Sequence, residues 1–122
     1  MKHIRVGITH GDINGIGYEV IMKALNDPRV TEGKTIIVYG SPKAAAFHRK
    51  AIELQNFSFN LIKSAQEANP KRPNIIDCCD AEVKVEPGVS TIDAGKAAFQ
   101  ALKAAVTDLK NNAIDVVVTA PI

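Results

Sequence analysis

The first forty residues alternate between two hydrophobic patterns, one typical of strands and one typical of helices. Residues 6–9 and 35–39 are short, apolar and rich in β-branched side chains, which predicts two strands. Between them, apolar side chains recur every three to four positions from Ile16 to Leu25, which predicts an amphipathic helix. Pro28 disfavours helix at the residue before it, so this helix should end close to residue 26.

The same alternation continues through the middle of the chain. Ser41, with a proline after it, is typical of a helix start, and this helix is predicted to run to about residue 54. Residues 57–62 alternate apolar and polar positions, as a third strand would, and residues 65–73 hold two prolines and should form a loop. Two further short strands are predicted at 74–79 and 82–85.

The last third holds the clearest helical pattern. Ser90 and Asp93 fit a capping box, and an alanine-rich apolar stripe follows as far as Leu109. Residues 115–119 are a continuous β-branched run, which is typical of a strand covered on both faces. Strands that alternate with helices in this way predict an α/β fold, with a mostly parallel sheet between two helix layers.

Composition narrows the possible functions. The chain has 122 residues, a formal net charge of +2, two tyrosines, four phenylalanines and no tryptophan. The scattered basic residues and the few aromatic side chains argue against nucleic-acid binding. Cys78 and Cys79 are neighbours, which is a poor geometry for a mutual disulfide, so we expect them to be reduced, partly buried strand residues. With neither a signal peptide nor a membrane span in the sequence, a cytoplasmic protein is expected.

The stretch GDINGIG, residues 11–17, is the strongest candidate for a ligand-binding loop. Its glycines, Gly11, Gly15 and Gly17, follow the first strand, but their order matches neither the dinucleotide fingerprint nor the P-loop. Amides at the start of the following helix could bind an anion. Asp12 could instead cap that helix, or meet a cation or a substrate hydroxyl. From these residues alone, a ligand loop and a tight structural corner both remain open.

Two segments of the chain resemble one enzyme family. VGITHGDINGIGYEV (residues 6–20) is similar to the signature of the 4-hydroxythreonine-4-phosphate dehydrogenases, the PdxA family. AGKAAFQALKAAV followed by AIDVVVTAPI resembles the long helix and following strand of the same family. Ile13 and Tyr18 stand where the family usually has proline, which predicts a less rigid loop.

The resemblance implies a fold and an activity. It implies that residues 1–122 are the N-terminal portion of an α/β/α domain like that of the isocitrate and isopropylmalate dehydrogenases. The remainder of that domain and a second domain would lie outside this chain. It further implies a cytoplasmic homodimer that uses NAD or NADP to oxidise and decarboxylate 4-phosphohydroxy-L-threonine in vitamin B6 biosynthesis. A divalent metal such as zinc, magnesium or cobalt would be held by three histidines outside this chain.

The candidate site residues lie at the two ends of the chain. We expect five residues to face the interdomain cleft: His10, Asp12, Gly15, Gly17 and Thr119. No residue is assigned as catalytic or as a metal ligand. His3 and His48 are expected to be solvated surface residues. His10 could instead be a loop histidine bonded to backbone, and Thr119 could instead be a plain strand-end residue. Glu19, Asp93 and Asp115 are interpreted as structural carboxylates.

Two other functions remain open on the sequence. One keeps the glycine loop and changes the substrate to a malate-type hydroxy acid, as in the isopropylmalate class. The other is a non-catalytic α/β module that binds an anion at a helix N-terminus. If the chain is part of either kind of dehydrogenase, it is expected to be inactive in isolation, because most of the cleft would be missing.

Overall fold

A computed structural model describes residues 3–79 and 84–121 as a parallel sheet flanked by helices. The strands are β1 (Ile4–Thr9), β2 (Lys34–Gly40), β3 (Asn60–Ile62), β4 (Asn74–Asp77) and β5 (Val116–Thr119). The α-helices are α1 (Gly17–Leu25), α2 (Pro28–Thr31), α3 (Pro42–Ala51) and α4 (Ile92–Lys110), with one 3₁₀ turn at Ala65–Glu67. No helix in this part of the chain is long and apolar enough to cross a membrane.

The strand order is β3-β4-β2-β1-β5, and every neighbouring pair is parallel. β1 lies between β2 and β5, so that Gly7 pairs with Ile37 on one side and with Val117 on the other. The carboxyl ends of all these strands therefore meet at one edge of the sheet. This confirms the predicted α/β fold with a parallel sheet.

Alternating side chains of β2 show where the core lies. Ile36 and Val38 pack with α1 and α3 on one face of the sheet, while Ile37 and Tyr39 pack with the alanines of α4 on the other. All four side chains are at most 4% exposed. The helices thus form layers on both faces, as the sequence pattern predicts.

Helix starts agree with the sequence at one position and differ at another. Ser41 caps α3, its hydroxyl accepting a hydrogen bond from the Ala44 amide at 3.1 Å. The predicted cap of α4 at Ser90 is wrong by one residue. The N-cap is Thr91, whose hydroxyl accepts a hydrogen bond from the Ala94 amide at 3.0 Å. Pro28 follows the end of α1 as predicted, but it also begins the short helix α2.

Several strands are shorter than their patterns predicted. The run at 57–62 forms a strand only from Asn60, and the run at 74–79 ends at Asp77, which leaves Cys78 and Cys79 just beyond β4. Both cysteines are reduced thiols of intermediate burial. Burial is the main cause that raises the pKa of Cys78 to about 12. Of the strand predicted at 82–85, residues 82 and 83 lie outside the described residues, and 84–85 are not a strand.

The prediction that β5 is covered on both faces is wrong for this chain. β5 pairs with β1 on one side only and forms an edge of the sheet. Val117 packs toward α4, whereas Val116 and Val118 point to the opposite face and are 44% and 51% exposed. The β-branched composition correctly predicts a strand. Whether both faces of that strand are covered depends on segments that a local pattern does not encode.

Candidate functional site at the carboxyl edge

The glycine loop and the end of β5 lie side by side at the carboxyl edge of the sheet. The Asp12 amide donates to the carbonyl of Pro121 at 3.0 Å, and the Ala120 amide donates to the carbonyl of Thr9 at 3.0 Å. The two ends of the chain that carry the sequence resemblance are thus joined by backbone hydrogen bonds. Ligands of open α/β sheets gather at this edge.

The three glycines of the loop have different reasons to be glycine. Gly11 has a φ of +66°, and a Cβ there would lie 2.8 Å from the Ala120 carbonyl oxygen. At Gly17 a Cβ would lie 2.5 Å from the carbonyl oxygen of His10. Gly15 is exposed, and its nearest neighbour would be the Asp12 side chain at an ordinary 3.5 Å. Gly11 and Gly17 therefore permit close packing of backbone, and only Gly15 is open toward a ligand.

Asp12 closes the loop on itself. One carboxylate oxygen accepts a hydrogen bond from the Asn14 amide at 3.0 Å, and the Asp12 carbonyl accepts one from the Gly15 amide at 3.1 Å. It does not cap α1, whose N-cap is Ile16 and has no side-chain cap bond. The side chain is partly exposed at the carboxyl edge, which keeps it among the groups that a ligand at this edge could reach.

His10 is buried beneath the loop rather than exposed in a cleft. Its side chain has no exposed surface, and Nε2 lies 3.0 Å from the carbonyl oxygen of Ala97 in α4. A carbonyl can only accept, so Nε2 carries the proton and Nδ1 is left as an acceptor for the Tyr18 hydroxyl at 2.7 Å. Burial lowers the pKa of His10 and favours the neutral ring. The expectation that His10 faces the cleft is thus wrong for this chain, and the alternative of a histidine bonded to backbone is correct.

Tyr18 and Ile13, which replace the usual prolines, are both fully buried. The Tyr18 hydroxyl donates to His10 and accepts from the amide of Ser41 at 2.9 Å, which links the loop to the start of α3. Its ring stacks on His48 with centroids 5.8 Å apart. The loop therefore loses proline rigidity but gains side-chain anchors, which the expectation of a less rigid loop did not consider.

His48 contradicts the prediction of a surface position, since only 8% of it is exposed. Its Nε2 donates to the carbonyl of Ile13 at 2.6 Å, a second connection between α3 and the loop. His3 is exposed as predicted, and its ring also lies 2.6 Å from the hydroxyl of Thr35. The basic residues around His48 concealed its burial, because a helix with a charged face still buries the opposite face.

The side chain of Asn14 joins the glycine loop to the segment before α4, a role that the sequence analysis did not predict. Its side-chain amide donates to the Val89 carbonyl at 2.8 Å and to the Thr91 hydroxyl at 3.3 Å, and its side-chain oxygen accepts from the Glu86 amide at 2.7 Å. The side chain is only 3% exposed. An asparagine inside a glycine-rich loop is common as a turn residue, so the sequence carried little signal that it would bind a distant segment.

The remaining candidates lie where the pattern predicted. Thr119 ends β5, is exposed and pairs in register with Thr9 at the carboxyl edge. Asp115 accepts a hydrogen bond from the Arg5 amide at 2.8 Å, so it is structural as expected. Glu19 lies in the first turn of α1 and pairs with Lys23 at 3.4 Å, and Asp93 lies in the first turn of α4.

The described residues do not fit a metal centre. Within residues 3–79 and 84–121, no three histidine, cysteine or acidic side chains come together in a way that could hold an ion. Both buried histidines already use a ring nitrogen on a backbone carbonyl.

Comparison with known proteins decides the family. The family model described as pyridoxal phosphate biosynthetic protein PdxA matches residues 32–122, which is about three quarters of the chain. The chain belongs to the PdxA family. The match contains the long helix α4 and β5, the second of the two segments that carried the resemblance, and it ends at the last residue of the chain.

Similar proteins cover the glycine loop as well. A 4-hydroxythreonine-4-phosphate dehydrogenase of Bacteroides thetaiotaomicron is 51% identical over 98% of this chain and 32% of its own length. A protein of Oceanobacillus iheyensis, named provisionally as a D-threonate 4-phosphate dehydrogenase, is 29% identical over 96% of this chain and 36% of its own. The solved structure of a 4-hydroxythreonine-4-phosphate dehydrogenase from Burkholderia phymatum is 29% identical, with a TM-score of 0.82 over 95% of this chain and 36% of that one. The chain spans about a third of the length of these relatives.

Proposed function

We propose that this chain forms the N-terminal portion of an NAD(P)-dependent dehydrogenase that acts on 4-phosphohydroxy-L-threonine. The reaction would oxidise the substrate hydroxyl to a β-keto acid, which loses CO₂ to give 3-amino-2-oxopropyl phosphate. This would be a step of pyridoxal 5′-phosphate biosynthesis. The protein would act as a cytoplasmic homodimer, with neither nucleic acid nor membrane as a partner.

The observation that carries the proposal is the junction of the glycine loop with the end of β5. Asp12 and Pro121 are hydrogen bonded through their backbones at the edge where ligands of α/β sheets gather. The substrate-facing wall would consist of Asp12, Gly15 and Thr119, which are partly or fully exposed there. His10 and Gly17 would support that wall from beneath, since both are buried.

This portion would supply binding and shape rather than the reactive groups. Asp12 is the carboxylate available at the loop, and the exposed Gly15 allows a ligand to approach the backbone. Divalent-metal ligands would come from residues outside the described part of the chain. The isolated 122 residues are accordingly expected to have no turnover.

The test is an assay of the complete gene product with 4-phosphohydroxy-L-threonine, NAD⁺ or NADP⁺, and a divalent metal. We expect an increase in absorbance of the reduced nicotinamide at 340 nm and release of CO₂. An Asp12→Asn variant should lower kcat/KM, whereas Asp93→Asn, at the exposed start of α4, should not. Absence of turnover with metal and either cofactor would contradict the proposal.

A second candidate substrate is D-threonate 4-phosphate, favoured by relatives that are 29–30% identical and carry that name. On the carbon next to the carboxylate, 4-phosphohydroxy-L-threonine carries an amino group and D-threonate 4-phosphate carries a hydroxyl group. The 51% identity with a 4-hydroxythreonine-4-phosphate dehydrogenase favours the amino substrate. The ratio of kcat/KM values for the two compounds, measured on one preparation, decides between them.

A further inference from the structure

The segment that leads into α4 lies against the glycine loop with its side chains exposed. We define this segment, residues 86–90, as the strap. Each of its five residues is exposed, including Val89 at 51%. It contains a turn at Gly88, whose φ is +78°. The strap therefore presents side chains and backbone to solvent next to residue 14 of the loop, and its position depends on the hydrogen bonds that hold it there.

Asn14 holds the strap at both of its ends. The Glu86 amide donates to the side-chain oxygen of Asn14 at 2.7 Å, and the Gly88 amide donates to its backbone carbonyl at 2.8 Å. The side-chain nitrogen of Asn14 donates in turn to the Val89 carbonyl at 2.8 Å. One nearly buried side chain thus uses its donor and its acceptor on the same segment.

This pattern requires an amide at position 14. An aspartate would keep an acceptor for Glu86 but would set a carboxylate oxygen against the Val89 carbonyl, where no proton is available to join them. An alanine would remove the partners of both strap ends. Either substitution would keep the backbone hydrogen bond from the Gly88 amide but would lose the side-chain bond to the Val89 carbonyl.

We propose that Asn14 is a positioning residue that fixes the strap as a wall of the substrate cleft. This inference rests on the proposed function. The strap is hydrogen bonded to residue 14 of the glycine loop, and it carries an exposed carboxylate at Glu86 and an exposed hydroxyl at Ser90 that can meet a polar substrate. Asn14 itself is too buried to touch the substrate and acts through the strap.

The first test compares Asn14→Ala and Asn14→Asp with Asn111→Ala in the complete gene product. Asn111 is an exposed asparagine at the C-terminal end of α4, toward the opposite edge of the sheet. Hydrogen exchange measured by mass spectrometry should show at least about tenfold lower protection at the Glu86 amide in Asn14→Ala, which removes the acceptor of that amide. The KM for the phosphorylated substrate should rise about tenfold while kcat stays within about threefold. Asn111→Ala should behave as the wild type.

The second test reaches the strap without changing Asn14. Gly88→Ala strains the turn, since its φ of +78° disfavours a side chain, while a Cβ there meets no atom within 4 Å. Gly33→Ala is a matched control with a φ of +74° and equally open space, in the turn before β2 at the other edge of the sheet. Gly88→Ala should raise KM, and Gly33→Ala should not. This pair keeps the inference testable if the Asn14 variants fold poorly.

Each outcome separates this inference from the proposed function. A wild type with no turnover of either phosphorylated substrate overturns the proposed function and, with it, the substrate role of the strap. A wild type with normal turnover, together with strap variants whose KM equals that of their controls, overturns the inference alone. Equal losses of kcat and stability in the Asn14 and Gly88 variants, with KM unchanged, would likewise reduce Asn14 to a folding residue.

Discussion

The Tyr18 hydroxyl donates a hydrogen bond to Nδ1 of His10 at 2.7 Å, although neither side chain has exposed surface. The same hydroxyl accepts from the Ser41 amide at 2.9 Å, and His10 donates from its other nitrogen to Ala97 in α4. One buried pair therefore connects the glycine loop to helices on both faces of the sheet.

Removal of this hydroxyl should be costly. Tyr18→Phe leaves the Ser41 amide and His10 Nδ1 buried without a partner, so we expect the free energy of unfolding to fall by about 1–3 kcal/mol. Tyr39→Phe is the control. It removes a hydroxyl bonded to Asp108 at 2.6 Å, but that carboxylate is partly exposed and can be hydrated, so its loss should be smaller. Urea denaturation of both variants measures this, and an equal or smaller loss for Tyr18→Phe would contradict the role of the pair.

Gly40 should be intolerant of alanine because of the same pair. A Cβ at Gly40 would overlap the Tyr18 hydroxyl and lie 2.7 Å from His10 Nδ1, so Gly40→Ala should cost about 1–3 kcal/mol by overpacking. The cost should be smaller in a Tyr18→Phe background, with a coupling of about 0.5–3 kcal/mol in a double-mutant cycle. Gly95→Ala is the matched control: this glycine is exposed in α4 with open space around it, so alanine should stabilise by about 0.5–1 kcal/mol. Additive costs at Gly40 and Tyr18 would disprove the steric explanation.

The glycines of the loop should respond differently to alanine. Gly17→Ala brings a Cβ to 2.5 Å from a backbone oxygen and should lower the melting temperature clearly. Gly15→Ala meets only the Asp12 side chain at 3.5 Å, so the melting temperature should stay close to that of the wild type. Under the proposed function, Gly15→Ala should instead raise KM, since Gly15 is the glycine open to a ligand. Thermal denaturation and kinetics on both variants distinguish these effects, and an equally stable Gly17→Ala would contradict the packing role.

Stability should decrease in mild acid because of His10. Its pKa in the folded protein is lowered from 6.5, first by burial, so it stays neutral while the unfolded chain takes up a proton below pH 6.5. The unfolded state then binds more protons, and the free energy of unfolding falls by up to about 1.4 kcal/mol per pH unit as pH decreases below 6.5. His10→Gln, which keeps a donor toward Ala97, should flatten this slope. Comparison at pH 8, where His10 is neutral in both states, corrects for the fixed cost of the substitution, and an unchanged slope would exclude His10 as the source.

Much of the fold follows from local signals that depend only on neighbours in the sequence. Apolar periodicity and the Ser41-Pro42 pair placed β1, β2, α1, α3 and α4 close to their observed bounds. The parallel sheet followed from the alternation of strands and helices. Strand ends were less accurate at residues 57–62 and 74–79, because only part of each apolar run finds a neighbour to pair with.

The candidate site was only partly predictable, because it too depends on contacts between segments that are distant in sequence. The sequence by itself determined the local elements that hold Asp12, Gly15 and Thr119, since a glycine loop after a strand and the end of a β-branched strand are local patterns. That these residues face a ligand stays a prediction. Only the tertiary structure decided that His10, His48 and Tyr18 are buried. It also decided that Asn14 forms hydrogen bonds with Glu86, Val89 and Thr91, which lie 72 to 77 positions after it in the sequence. Burial and hydrogen-bond partners are set by segments distant in sequence, so no local pattern encodes them.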